Sequence, residues 1–286
     1  MTESKTAESL QYDSNPLTLS FEALGRFFKF NIGWAIVIIS FAFFGFVGQI
    51  GQSFMNMNTG EETSSYQEER KELFADFEAP DQTLDTVAII AIVVGVLLVI
   101  SVAVVIGSAI GVYVQGMFAY VALASENSKS VGFSEAFQEV SKRFWRLFGS
   151  QLLASLKIFA WSLLFIIPGI IASLRYSMLS YVILSSDPST KGVRLAHKQT
   201  KELVKKRLFE VFGVTFVGGL IPVIGSLVTL SGKAALHNQL RSFNEAGKAK
   251  PPIHWLNYLC LVFIAAFVFL IALIIGVIVY LAIKNS

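Results

Sequence analysis

Residues 165–184 read FIIPGIIASLRYSMLSYVIL, a run with the apolar content of a membrane span that nonetheless holds Pro168-Gly169 near its start and Arg175 near its middle. Proline removes a helical hydrogen bond, and glycine permits a tight reversal. From Leu147 to Leu184 the chain carries only two charges in 38 residues, Lys157 and Arg175, and the Pro-Gly pair divides that stretch almost in half. The pattern predicts a helical hairpin that crosses a membrane twice, with its tip at Pro168-Gly169 on the outer side.

The rest of the chain agrees with a membrane setting. Of 286 residues, 54% are hydrophobic and only 15% charged, against roughly 25% charged in soluble domains. Uncharged runs lie between Phe30 and Glu61, between Thr86 and Ser125, and between Pro251 and Ile283. Each exceeds the roughly 20 apolar residues that cross a bilayer, and in lipid such runs are helices. The fold class expected is all-α, a polytopic transmembrane bundle with amphipathic interfacial helices.

Charge bias sets the expected topology. Residues 1–27 read as a cytoplasmic tail, and residues 28–286 as a single transmembrane domain whose first, uncleaved span covers Phe28 to Ile50. Between Gln52 and Thr86 stand nine carboxylates against Arg70 and Lys71, so residues 52–86 read as an acidic loop outside the cell. Val87 to Ser125 is 39 residues without a charge. Read as one long tilted helix it keeps the following Lys129, Lys142, Arg143 and Arg146 inside. Within it, Gly107-Ser-Ala-Ile-Gly111 is a small-xxx-small pattern that lets another helix approach closely.

Phe133, Phe137, Val140, Phe144 and Leu147 recur at helical spacing, which predicts an amphipathic helix over 134–148 lying along the cytoplasmic interface with Trp145 at that depth. After the hairpin, Lys191, Arg194, Lys198, Lys201 and Lys205 fall at i, i+3, i+7, i+10 and i+14, which stacks five cations on one helical face. Leu208 to Gly232 is broken by several glycines and Pro222. It crosses once, or it re-enters and leaves the basic loop after it inside, with the chain's end outside. A last span covers Leu256 to Ile283. The stretches RFWRLFG (143–149) and RLFEVFG (207–213) echo each other, and each leads to an Ile-Pro.

The order GFSEAF, KRFWRLFG, IIPGIIASLRYSMLSYVIL and RLAHKQTKELVKKRLFEVFG, over about residues 105–225, resembles the membrane domain associated with bacterial glycerophosphoryl diester phosphodiesterases and the related multi-pass proteins of the YciC type. The resemblance implies a bundle of about six transmembrane helices. The phosphodiesterase activity of that family belongs to a separate soluble barrel with metal-binding Glu, Asp and His residues, which is not in this sequence, so the activity is not carried over.

Chemistry is sparse. His197, His237 and His254 are far apart and read as interfacial polar residues; no metal-ligand spacing, phosphate loop or dinucleotide fingerprint occurs. Cys260 stands alone and reads as a small core residue. No cofactor, metal, catalytic set or nucleic acid is expected, and no protein partner is named, although a homo-oligomer is compatible with the sequence. Lys157 and Arg175 remain, because charges within a span are costly and often functional. Arg175 either snorkels to the outer headgroups or meets an anion, and Lys157 has the same two readings. The function expected is a non-enzymatic, lipid-interacting or scaffold protein of the cell membrane that contacts anionic phospholipid through Lys157, Arg175 and the ridge Lys191, Arg194, Lys198, Lys201 and Lys205. The alternative is a small permease or channel for an anionic or amphipathic solute, with breaks at Pro168 and Pro222.

Overall fold

The computed structural model describes residues 12–73, 86–187, 189 and 192–284. All regular structure among them is helical: α1 (Pro16–Leu73), α2 (Thr86–Glu126), α3 (Phe133–Leu164), α4 (Ile166–Tyr176), α5 (Leu179–Ser185), α6 (Val193–Leu203), α7 (Leu208–Gly219), α8 (Gly225–Glu245) and α9 (Leu256–Lys284). The chain divides into two units, one of residues 1–39 and 112–286 and the other of residues 40–111.

The smaller unit holds the apolar stretches of α1 and α2. Its aliphatic and aromatic side chains on α2, from Ile89 to Ile110, are exposed, as suits contact with lipid. Ser101 and Ser108 donate to their own helix, to the carbonyls of Leu97 and Val105, which removes their hydroxyls from an apolar surface. The uncharged run from Val87 forms one helix, as the basic residues after it favoured. Residues 52–73, expected in a loop with only a short solvated helix at 68–77, instead continue α1 throughout, because Glu, Gln and Lys are good helix formers despite their polarity; residues 74–85 lie outside the described residues.

In the larger unit α1 begins twelve residues before the expected first span, at Pro16, and buries Leu19, Ala23 and Phe27. It kinks at Asn31 (φ −136°, ψ 45°). The Asn31 amide donates to Ser125 Oγ at 2.8 Å and to the Lys129 carbonyl at 2.9 Å, and its oxygen accepts from the Val131 amide at 2.8 Å. One side chain thereby closes the α2–α3 turn. Arg26 supports it with a two-point pair to Glu126.

The amphipathic stretch 134–148 is not a separate interfacial helix. It is continuous with the first hairpin arm in α3, which is 32 residues long. The reversal falls at Phe165, in extended conformation (φ −156°, ψ 137°), three residues before the expected tip. A helix running straight into Pro168 would clash with the carbonyl four residues back, at Leu164, so the break must come between them. Pro168 then sits in the first turn of α4, where amides have no helical acceptor. Gly169 serves close approach: a Cβ there would stand 2.3 Å from Ser162 Oγ and 3.0 Å from its Cα.

Among the described residues, five helices are long and apolar enough to cross a membrane, within residues 16–50, 89–126, 133–164, 167–185 and 256–284. The segment 208–232 does not cross once. It folds back on itself as α7, a turn through Leu220–Ile224 and α8, with Pro222 in the turn. At 12 residues, α7 reaches only about 18 Å, short of the roughly 30 Å hydrocarbon core. The hairpin is closed by glycine: a Cβ at Gly225 would lie 1.8 Å from the Gly218 carbonyl oxygen, and one at Gly218 would lie 1.8 Å from Thr229 Oγ1.

Both ends of this hairpin lie on one side, tied there by Tyr12–Asn15. Tyr12 donates to Glu210 at the start of α7 and packs edge-on against Phe243 near the end of α8. Ser14 Oγ donates to the Pro252 carbonyl, and Asn257 donates to the Ser14 carbonyl at 2.7 Å. Gly225→Ala should therefore cost about 3 kcal/mol or more by overpacking backbone against backbone, read as a lowered melting temperature in detergent. Gly219→Ala, with nothing within 4 Å of its added Cβ, should leave the melt unchanged; equal melts for the two variants would refute the close-packed hairpin.

Candidate cationic site

The basic segment becomes α6 with a buried face of Ala196, His197, Thr200 and Leu203, and Gly192 leads into it at φ 132°, a conformation L side chains rarely adopt. His197 fixes the docking. Its Nε2 donates to the Ser150 carbonyl at 3.1 Å, which leaves Nδ1 as acceptor for the Lys157 ammonium at 3.5 Å. The imidazole also meets Tyr176 edge-on, and the Lys157 ammonium lies 5.6 Å from the Tyr176 ring centroid. Lys157 is thus neither stranded in lipid nor waiting for a carboxylate. A histidine from the basic helix and an aromatic face from α4 surround it.

The outer face of α6 is cationic, with Arg194, Lys198 and Lys201 all exposed. Lys205, expected on the same helical face, lies beyond the end of α6 at Leu203, and Lys191 lies outside the described residues. Docking of α6 on α3 and α4 brings Arg175 to the ridge. Arg175, Lys198, Lys201, Lys205 and Lys206 line one concavity of 380 Å³, with Glu202 as its one carboxylate. Among the described residues none of these five cations forms an ion pair. Lys206 joins them at φ 64°, a backbone state costly for a non-glycine residue and common at ligand sites. Arg194 is exposed on α6 but does not line the concavity.

This geometry sets Arg175 beside α6, and α6 follows the returned arm. Glu210, the carboxylate at the start of α7, is spent elsewhere. It is buried and accepts from Arg207 Nη1 at 2.9 Å and from Tyr12.

The histidines divide by burial. His197 and His237 are core residues, not interfacial ones, and His237 is 1% exposed; His254 accepts from the Leu256 amide at the start of α9. Desolvation, and then the Lys157 ammonium, hold His197 below the ordinary imidazole range. Desolvation pushes His237 down to about 4. No three His, Cys, Asp or Glu side chains among the described residues gather to hold a metal ion, and the Cys260 side chain lies outside the described ones. Two cations were not singled out by sequence reasoning. Lys206 was legible as part of the basic run, whereas Lys233, which lines a separate cavity of 490 Å³, gave no signal in the sequence.

No family model, curated protein or solved structure matches the chain. The geometry therefore carries the functional argument.

Acid should destabilise the fold through His237. Unfolded, it takes a proton near pH 6.5; folded, not until about pH 4. The unfolded state binds more protons in that window, so stability falls as pH drops from 6.5 to 4, by on the order of 3 kcal/mol for this residue. The melting temperature of the detergent-purified protein should fall more steeply over that interval in wild type than in His237→Gln, Arg241 and Glu245 beside it being common to both. Parallel profiles would refute the assignment.

Proposed function

We propose that this chain is a non-enzymatic, multi-pass protein of the bacterial cell membrane that binds anionic phospholipid headgroups at the cleft formed by Arg175, Lys198, Lys201, Lys205 and Lys206. One observation carries the reading. A cation from the apolar hairpin converges on a basic helix around a single concavity, without ion-pair partners. A phosphate group has the oxygen geometry that a guanidinium and several ammonium groups satisfy, and each basic residue at an anionic surface contributes about 1 kcal/mol. The positive-inside tendency puts this face, and with it Tyr12–Asn15, in the cytoplasm. Membership of the YciC-type proteins belongs to the same proposal and rests on the motif order 105–225.

The level of α6 sets how deep the first hairpin reaches. His197 meets α3 at Ser150 and Lys157, which are 15 and 8 residues before the Phe165 break, or about 22 and 12 Å along a helix. If α6 lies at the headgroups, that distance falls short of a hydrocarbon core of roughly 30 Å. The α3–α4 hairpin then dips into the bilayer as α7–α8 does, with the exposed Leu163, Leu164, Phe165 and Ile167 immersed. Arg175 and Lys157 sit at the phosphate level of the inner leaflet, and three helices (α1, α2 and α9) cross fully.

Two measurements follow. In native mass spectrometry from nonionic detergent, the wild-type protein should retain phosphatidylglycerol over phosphatidylcholine at least tenfold. The combined variant Arg175→Gln, Lys198→Gln, Lys201→Gln and Lys205→Gln should lose that preference; a variant as selective as wild type ends the proposal. In a Cys260→Ser background, Phe165→Cys should resist a membrane-impermeant maleimide from both sides of proteoliposomes. Labelling from the side opposite Lys248→Cys would mean that the hairpin crosses.

A further inference from the structure

A second site lies apart from the ridge, where the breaks in two helical hairpins meet. The cavity of 490 Å³ is bounded by α2, by the α4–α5 junction and by α7 and α8, and its volume is within the roughly 300–1,000 Å³ typical of small-ligand pockets. Its lining is polar at several points: Gln115 from α2, Ser177 between α4 and α5, Thr215 from α7, and Ser226, Thr229 and Lys233 from α8. It contains one cation and no carboxylate. Among the described residues the Lys233 ammonium, the Gln115 amide and the Thr229 hydroxyl have no hydrogen-bond or ion-pair partner, whereas Thr215 and Ser226 are spent on the carbonyls of Val211 and Val223.

Three donors without acceptors, one of them charged, face the same space. Ser226 and Gly225 bring the first turn of α8 to the cavity, and the positive end of that helix's dipole adds to the attraction for an anion. The glycine pair Gly218 and Gly225 brings the two helix backbones together, and only backbones this close set the end of α7 and the first turn of α8 side by side on the cavity wall. Broken helices whose ends converge on a polar cavity within an apolar bundle are the arrangement that membrane proteins use to hold charged ligands.

We propose that the Lys233 cavity binds a singly charged oxyanion, a phosphodiester presented either by a free solute or by a lipid headgroup. The single ammonium matches one negative charge, and the Gln115 amide and Thr229 hydroxyl donate to the remaining oxygens. The site is independent of Arg175 and α6, and its occupancy does not require the ridge to bind lipid.

The test uses the full chain in nonionic detergent and reads acetylation of individual lysines by peptide mass spectrometry. Lys248, exposed in the loop after α8, is the internal reference. Dimethyl phosphate and dihexanoyl phosphatidylglycerol are the two anionic probes, and dihexanoyl phosphatidylcholine is the control. Lys233 should be protected at least tenfold relative to Lys248 by an anionic probe and not by the control. Protection by both anions assigns a free phosphodiester, and protection by the lipid alone assigns a headgroup that needs its chains. No protection, or equal protection by the zwitterionic lipid, overturns the proposal. Protection should persist in the combined Arg175, Lys198, Lys201 and Lys205 glutamine variant; its loss there would mean one site and overturn the independence of the two. Calorimetric binding of the protecting probe should fall at least tenfold in Lys233→Met, with Thr229→Val as a milder second variant, and affinity unchanged in both would also overturn it.

Discussion

The contact on which the functional face depends is the one His197 makes with α3. A neutral imidazole donates from Nε2 to the Ser150 carbonyl and offers Nδ1 to Lys157, so one ring binds the basic helix to the apolar hairpin and gives the half-buried ammonium an acceptor. Without that docking, α6 would be an amphipathic helix with a weak apolar face, Ala196, Leu203 and little else, and such a helix is marginal in isolation. The protonation state is part of the structure. Burial favours the neutral ring, and only the neutral ring can be donor and acceptor at once. The positions of Lys198 and Lys201 beside Arg175 follow from this one seat.

A second constraint is that turns and chain segments on this side are closed by specific polar groups. Asn31 closes the α2–α3 turn, Glu210 gathers Arg207 and Tyr12, and Asn257 holds Ser14. Backbone groups that no water can reach must find partners, and amides and carboxylates within the fold supply them. Among the described residues, the opposite end, at Phe165, has no comparable set of ties and presents exposed apolar side chains. Polar closure at one end and a greasy tip at the other is the asymmetry expected of an element that dips into a bilayer from one face.

Much of this was legible in the sequence: the helical class from hydrophobic length, the single helix after Val87 from the basic residues that follow it, and the existence of a break from Pro168-Gly169. The errors have local causes. The break moved to Phe165 because the proline ring acts on the carbonyl four residues earlier. Residues 52–73 stayed helical because charge marks solvent exposure and not loss of helix. Arg175 kept two readings in the sequence because its partner helix arrives only after the chain has turned back. Spacing within α6 revealed a cationic face, but no spacing rule connects residue 175 to residue 205. Lys233 was silent because its neighbours come from α2, the α4–α5 junction and α7, over a hundred residues of sequence.

The two hairpins give the echo of RFWRLFG and RLFEVFG a structural meaning. Each copy leads into an antiparallel helix pair, α3 with α4 and α7 with α8, and each pair is drawn together by a glycine where a Cβ would collide: Gly169 on Ser162, and Gly225 on Gly218. The second pair is shorter, and its reversal takes five residues, Leu220–Ile224, where the first takes one. Those extra residues separate the reversal from the two helices and place Val223 at φ 62°, a strained state for a β-branched residue. The first hairpin, turning on one extended residue, packs Ser162 against Gly169 and leaves no room at its tip. Its second arm instead breaks at Ser177, and that break and the α7–α8 reversal are what open the polar cavity around Lys233.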